Sequence, residues 1–351
     1  MKPHYDVRFA RLDERQSIQR FIETHWRAGH ILARSPEVFD WQYRNYKHER
    51  YNFVVGIHLD TGEIHGILGF IPVSHFDTDL EVGSEIWLAV WKTREGVGAS
   101  GLGFSLLINL KKLTNAKSIG LIGLSEDSRQ IFRSLRYTCG FADQFYLVNP
   151  HCTEHKILDN FDGKNFILDV PNAKSKRLVR IDPDKIASTL GAIERRQPEN
   201  RCLPRKTSHY FLNRYARHPL YRYQLWAVNA GQNVTSVLVT RRITVNNSAA
   251  MRIIDMFGPK ESLSGCRNQL CDLLVTEQAE YIDFYTSDAQ ALVLNEAGFI
   301  KRTKRSLVII PNNFEPFERK NVDLAFAYWT HAGAPYQLVK GDSDQDRPNS
   351  I

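Results

Sequence analysis

The chain lacks the long apolar runs that a membrane-crossing helix requires. Its 351 residues are 42% hydrophobic and 24% charged, but no stretch reaches the roughly 20 consecutive apolar residues needed. No short apolar segment behind a basic N-terminus marks a secretory leader either. Neither spanning nor secretion is expected, and a cytoplasmic location is. Cysteine is scarce and odd in number: Cys139, Cys152, Cys202, Cys266 and Cys271, with no Cys-x-x-Cys pair. Free thiols are expected rather than a disulfide framework. His25 and His30 have no carboxylate or cysteine at ligand spacing, so no metal site is expected. Acidic residues fall short of basic ones, 39 against 46, giving a net charge of +7. That excess suits a small anionic ligand and is too diffuse to demand nucleic acid. The length allows about two domains.

What is present centres on Ser84 to Leu113. Ile86-Trp87-Leu88-Ala89-Val90 reads as a buried strand, and Gly96, Gly98, Ala99, Ser100 and Gly101 crowd the loop behind it. From Gly103 the apolar spacing turns helical, with Leu106, Leu107, Leu110 and Leu113 on one stripe. Strand, glycine loop and helix start together suit a phosphate: the backbone N–H groups can approach it, and the dipole's positive end faces it. Gly96-Val97-Gly98-Ala99-Ser100-Gly101 matches the dinucleotide pattern G-x-G-x-x-G, but the context argues against it. Trp91 to Glu95 separate strand from glycines, and the nearest acid after Gly101 is Glu126, beyond the required spacing of about 20 residues.

The register beginning at Gly98 fits better. Gly98-Ala99-Ser100-Gly101-Leu102-Gly103, followed by Phe104 and the leucine-rich helix, resembles the acyl-CoA loop of the GNAT acetyltransferase superfamily, (Arg/Gln)-x-x-Gly-x-(Gly/Ala). Gly98 stands where the family usually has Arg or Gln. The rest of the first half is similar to the family in order. A strand at Val7–Ala10 precedes a helix bearing Ile18, Phe21 and Ile22, and a second helix starts at Ser35-Pro36-Glu37. Strands at 52–58 and 64–73 flank an Asp60-Thr61-Gly62 turn, and a strand at 118–123 precedes a helix at 125–135. Leu135 to Phe141 resembles the family's Tyr-x-x-x-Gly-Phe ending, with Arg136 at the usual Tyr position and Tyr137 one place on.

From about residue 205 the first half is echoed. His209 to Pro219 parallels Val38 to Asn45, strands at 223–228, 236–241 and 250–257 follow, and Ala297-Gly298-Phe299 parallels Cys139 to Phe141. The glycine cluster is missing from this copy. The resemblance therefore implies an α+β protein with α/β/α layers: two GNAT-like domains, each a mixed, mostly antiparallel twisted sheet flanked by helices. Residues 1–150 would be the acyl-CoA-binding domain, 151–204 a connection with a basic run at Lys174-Ser175-Lys176-Arg177, 205–335 the degenerate second domain and 336–351 an acidic tail. In the tail, Asp342, Asp344 and Asp346 alternate, but the glycine and distal glutamate of an EF-type Ca²⁺ loop are missing. Gly341-Asp342-Ser343-Asp344-Gln345-Asp346-Arg347-Pro348-Asn349 is similar to the ending of tandem GNAT-like proteins encoded with bacterial surface-polysaccharide genes. Tyr328 and Trp329 just before it favour docking over disorder.

Acyl transfer to an amine needs a base, oxyanion stabilisation and a protonated or tolerated thiolate. The resemblance places the backbone of Leu88, Ala89 and Val90 along the thioester and pantetheine. Glu85 at the strand start is the expected base, His75 the alternative, its ordinary pKa lying near working pH, and Tyr137 the expected acid. Trp26, His30, Arg34 and Trp41 would wall the acceptor pocket, aromatic faces suiting sugar rings and Arg suiting phosphate or carboxylate. The implied activity is acyl-CoA-dependent N-acylation of an amino sugar carried on a nucleotide, for surface polysaccharide biosynthesis, with acetyl-CoA or another acyl-CoA as donor. A homodimer is compatible with the sequence. Two other readings stay open: a Fem-type aminoacyl-tRNA-dependent transferase, which should show a stronger basic stripe and a helical arm, and a non-catalytic CoA-binding or scaffold protein.

Overall fold

The computed structural model describes residues 4–97, 101–161, 176–196, 202–287 and 291–349. Strand β1 (Tyr5–Arg11) is followed by helices α1 (Arg15–Phe21), α2 (Ile31–Arg34) and α3 (Pro36–Tyr43), then β2 (Arg44–Asn45), β3 (Arg50–His58), β4 (Ile64–Pro72) and β5 (Glu85–Thr93). Helix α4 (Leu102–Thr114), β6 (Ser118–Ile122), α5 (Glu126–Ser134), β7 (Thr138–Phe141) and β8 (Asp143–Val148) complete the first half. The second half repeats the plan: β9 (Lys176–Arg180), α6 (Ile186–Glu194), α7 (Ser208–Phe211), β10 (Gln224–Ala230), β11 (Asn233–Val245), β12 (Ser248–Phe257), α8 (Arg267–Thr276), β13 (Tyr281–Thr286), α9 (Ala291–Glu296), β14 (Ile300–Lys301) and β15 (Ala325–Thr330).

Local chemistry places these elements where the sequence puts them. Ser35 caps α3 by accepting the Val38 N–H at 3.2 Å, with Pro36 in the first turn, and Ser125 caps α5 through the Ser128 N–H. The Asp60-Thr61-Gly62 turn joins β3 to β4 as an antiparallel hairpin. Gly56 and Gly66 are cross-strand partners in that hairpin. A Cβ at Gly56 would stand 2.6 Å from a Leu102 methyl and one at Gly66 3.0 Å away, so the two glycines let α4 lie close on the sheet. All five cysteines are free, and among the described residues no helix is long and apolar enough to cross a membrane.

The sheets run β1-β3-β4-β5-β6-β15-β7 and β9-β10-β11-β12-β13-β8-β14, the same order twice. Two mixed sheets flanked by helices are the α+β pair expected from the sequence. The boundaries are not those expected. β8 leaves the first half to pair with β13 and β14, and β15 returns from the second half to sit between β6 and β7. The stretch taken as a connection supplies β9, the edge strand beside β10, and α6. Its charged Lys-Arg-Leu-Val-Arg sequence masks the apolar alternation, as edge strands do. Lys176 is engaged, its ammonium donating to the Ser262 and Ser264 carbonyls at 2.9 and 2.5 Å. Lys174 and Ser175 lie outside the described residues.

One core joins the halves, with Phe39, Phe53, Ile71 and Trp87 in the same cluster as Phe211, Leu225, Ile254 and Tyr285. Separate outer layers pack α4 and α5 on the first sheet and α8 and α9 on the second. The second sheet also buries an ion pair between cross-strand neighbours: Arg252 on β12 makes two 2.8 Å contacts to Asp283 on β13, both side chains 1% exposed. Breaking such a pair leaves an uncompensated buried charge. Arg252→Leu is expected to lower the unfolding free energy by about 3–5 kcal/mol, and Arg252→Leu with Asp283→Leu to recover most of it, read by urea denaturation. Equal losses in the single and double variants would contradict this.

Candidate active site

β5 pairs with β4 throughout, but with a bulge. Phe70 faces Leu88 and Leu68 faces Trp91, so three steps on β5 match two on β4. Ala89 and Val90 both turn to the core shared by the two halves as a result. On its other side β5 pairs in parallel with β6 only from Glu85–Ser118 to Trp87–Gly120. Beyond Trp87 the two strands part, and Leu88 to Val90 leave the β6 ladder at the level of the bulge.

Downstream of this parting lies the glycine loop. Gly98, Ala99 and Ser100 fall outside the described residues. Gly101 has φ +81°, and a Cβ built there meets nothing within 4 Å. It precedes α4, whose start carries no side-chain cap and no acid in its first turn. The first intrahelical bond runs from the Ser105 N–H to the Gly101 carbonyl at 2.9 Å, so the N–H groups of Leu102, Gly103 and Phe104 have no helical acceptor. Gly103 lies against the Trp91 indole, 3.5 Å from where a Cβ would stand. An open cradle, an uncapped helix start and its dipole fit a diphosphate. The strands part on the same side of the sheet as this helix start.

In the second copy the strands part in the same way and the gap is filled. β12 and β13 pair in parallel from Met251–Ile282 to Ile253–Phe284 and then separate. The C-terminal segment runs between them: Val339 bridges Thr286, the Ser287 N–H donates to the Leu338 carbonyl at 2.8 Å, and the Gly341 N–H donates to the Ile254 carbonyl at 2.8 Å. Leu338 is fully buried. The chain then returns to the first sheet, where the Ser343 hydroxyl donates to the Leu88 carbonyl at 2.5 Å and Gln345 packs on Gly123. The expected acidic tail is thus a docked strap, and its charges are neutralised by distant partners. Asp342 and Asp255 flank the Lys206 ammonium at 2.7 Å each, Arg214 donates to the Gly341 and Ser343 carbonyls, and Asp346 pairs with Arg241 at 2.7 Å. Burial pulls the Lys206 ammonium down, but the two aspartates outweigh it and hold it charged. Burial would raise Asp346, yet Arg241 and the Tyr223 hydroxyl keep it below the usual carboxylate range.

The residues expected from sequence fall into separate places. Trp26 and His30 meet the tail: their rings are 4.7 Å apart, Arg347 lies 2.6 Å from His30 Nε2 and 5.6 Å from the Trp26 ring, and Arg347 Nε pairs with Asp344 at 3.0 Å. The Leu32 N–H faces His30 Nδ1, and burial followed by Arg347 drives the ring's pKa down to about 3, so it stays neutral. Arg34 is on the surface, paired with Glu23. Trp41 and His75 line a different cavity of about 670 Å³, near Pro72 and Arg217. His75 Nε2 is 2.7 Å from the Trp41 carbonyl, and burial lowers its pKa.

Glu85 sits in the closed part of the sheet, four residues or about 13 Å before Ala89. Its carboxylate accepts the Arg205 N–H at 2.5 Å, and burial raises its pKa. Tyr137 is buried on the α4–α5 side, edge-on to Phe132 at 5.0 Å, and burial keeps its hydroxyl protonated. Ser343, Asp344, Arg347, Arg214 and Lys340 are the additions the structure makes. The alternating aspartates were the visible signal, but the partners of Asp342 and Asp346 lie over a hundred residues away. Two mostly exposed trios, His4–His58–Asp60 and Asp77–Asp79–His209, bring together side chains able to hold a metal ion.

Several buried polar atoms in the shared core that holds Trp87 have no hydrogen-bond partner among the described residues: Trp87 Nε1, Tyr43 OH, Tyr210 OH and an Arg214 terminal nitrogen. Arg214 lies 6.0 Å from the Trp87 ring, and Trp87 lies 5.9 Å from Tyr210. Buried polar groups are normally satisfied by protein, water or ligand. This cluster marks a place where a polar molecule belongs.

No family model and no curated sequence matches the chain. Solved structures do. A GCN5-related N-acetyltransferase from Anabaena variabilis superposes with a TM-score of 0.56 at 10% identity, over 92% of this chain and 72% of that one. Saccharomyces cerevisiae N-myristoyltransferase with bound myristoyl-CoA superposes with a TM-score of 0.50 at 9% identity, over 94% and 79%. At that identity the likeness is one of fold: the chain carries two GNAT-like folds side by side.

Proposed function

We propose that the protein is an acyl-CoA-dependent N-acyltransferase whose single donor site lies between β5 and β6. The observation that carries this reading is the contrast between the copies. Beyond β12 and β13 the strap's backbone is hydrogen-bonded to both strands, whereas beyond β5 and β6 its described contacts are side-chain ones, Ser343 on the Leu88 carbonyl and Gln345 on Gly123, and the strands part toward the uncapped glycine start of α4. Bound acyl-CoA would supply an acyl carbon activated as a thioester. The N–H groups of Leu102, Gly103 and Phe104 would hold its diphosphate, and the bulged backbone of Leu88 to Val90 would lie along the pantetheine and thioester.

The acceptor's ammonium must lose a proton before its nitrogen attacks. Asp344 is the proton acceptor in this reading, directly or through water, in place of Glu85 and His75. It follows the residue that touches Leu88, whereas Glu85 is about 13 Å down the strand and His75 faces another cavity. Tyr137, held protonated, is the donor to the departing thiolate. Trp26 and His30 position Arg347 and through it Asp344. The acceptor proposed is an amino sugar of surface polysaccharide biosynthesis. The tail's sequence resemblance supports it, as does the aromatic and charged wall of Trp26, Arg347 and Arg241.

The test is release of CoA thiol from acetyl-CoA with amino-sugar acceptors, alongside thermal shift with CoA. Asp344→Asn is expected to lower kcat about a hundredfold or more while keeping the CoA-induced shift. Glu85→Gln should stay within about threefold of the parent. The reverse ranking would return the base to Glu85, and no thiol release with any amine would leave only binding.

A further inference from the structure

Beside the strap lies a cavity of about 300 Å³, lined by Arg27, Arg241, Arg252, Asn312, Lys340 and Asp344 among others. The carboxylates of Glu315 and Glu318 also line it. Three of its guanidiniums have counter-charges: Arg252 has Asp283, Arg241 has Asp346, and Arg347 has Asp344. Lys340 differs. The residue is 4% exposed, and its ammonium donates to the Asn312 side-chain oxygen at 3.0 Å. The ammonium also lies 5.9 Å from the centre of the Tyr285 ring. An ammonium carries three donors, and here one is used. Among the described residues no carboxylate comes within ion-pair distance of it. Burial, then the Arg252 charge, brings its pKa down to about 7, and Asp346 and Asp283 offset this only in part.

A buried cation without a counter-ion is costly to the fold, and here it borders a polar cavity that could admit one. The cavity also reaches Asp344, the residue placed beside the parted strands. We infer that this cavity seats an anionic group of the acceptor, a carboxylate or a phosphate, on the two unused donors of Lys340. Asn312 fixes the direction of the ammonium, and Arg241 and Arg252 stay paired with Asp346 and Asp283, so Lys340 supplies the unneutralised charge. The inference rests on the donor-site reading above, because it is Asp344 that links the two. It narrows the acceptor to an amine that carries a negative charge of its own.

Thermal shift of the full chain separates the possibilities, with glucosamine, glucosamine 6-phosphate and 2-amino-2-deoxyglucuronic acid as probes and CoA as the independent control. The parent protein should be stabilised by the phosphate or the carboxylate compound, whichever is the true class, and not by neutral glucosamine. In Lys340→Met, which removes the unpaired charge at similar volume, affinity for that probe should fall at least tenfold. Its ligand-free Tm should rise, and the CoA shift should match the parent's. Lys340→Gln, retaining a polar end, should show the same loss of anion response.

The inference is overturned if the parent shows no preference for charged over neutral sugar, or if both variants bind the charged probe as the parent does. Should CoA fail to shift any of the proteins while the charged sugar still does, the donor-site reading falls and the anion seat stands.

Discussion

Ending the chain after Pro335 is expected to abolish cooperative folding. Tyr336, Leu338 and Val339 are each less than a tenth exposed. Burying an aliphatic or aromatic side chain of this size contributes about 1.5–3 kcal/mol. The truncation also leaves Lys206 and Asp255 without Asp342, Arg241 without Asp346, and Arg214 without the two carbonyls it holds. Orphaning one buried charge typically costs about 3–5 kcal/mol. The sum approaches the roughly 5–15 kcal/mol by which a whole domain is stable. Differential scanning calorimetry should show no sharp transition in the truncated chain. A milder change, Leu338→Asp, places one carboxylate in a fully buried site and should lower Tm by about 10 °C or more. A truncated protein melting within about 2 °C of the parent would mean that the strap is ornament.

The second large effect concerns ligand rather than stability. Gly101 holds φ +81° with open space around it, so replacing it by valine meets no clash in the free protein. The substitution incurs the left-handed backbone strain of an L-residue, about 1–2 kcal/mol. Its side chain would, however, occupy the cradle ahead of the Leu102, Gly103 and Phe104 amides. Gly101→Val is therefore expected to weaken CoA binding at least a hundredfold, about 2.7 kcal/mol, while Tm falls by only a few degrees. Isothermal titration against CoA decides it. Undiminished affinity would place the diphosphate elsewhere.

The central strand, the helix behind it and the repeat of the plan were legible because each is written locally. Leu106, Leu107 and Leu110 repeat at helical spacing and are buried together, and Ser35 and Ser125 cap the helices they precede. Pairing partners are another matter. Asp143–Val148 reads as a strand in either fold, and nothing within those six residues says that their neighbour is Tyr281–Thr286. Docking of the tail was expected from Tyr328 and Trp329, but not its partners: Lys206 and Arg241 are brought to Asp342 and Asp346 only by the fold. Glu85 marks only the start of β5: the bulge and the parting lie several residues on and leave no mark in the composition.

The reciprocal trade of β8 and β15 has a consequence for how the protein is made. A ribosome delivers the amino-terminal half first, and domains commonly fold in that order. Here β6 and β7 must wait with an empty berth between them until Ala325–Thr330 emerges, after the other strands of both sheets have been made. Until then both strands carry bare edges, the kind that invite pairing with other chains. Neither half is a separable module, and the nascent protein is most vulnerable to aggregation just before Ala325–Thr330 emerges.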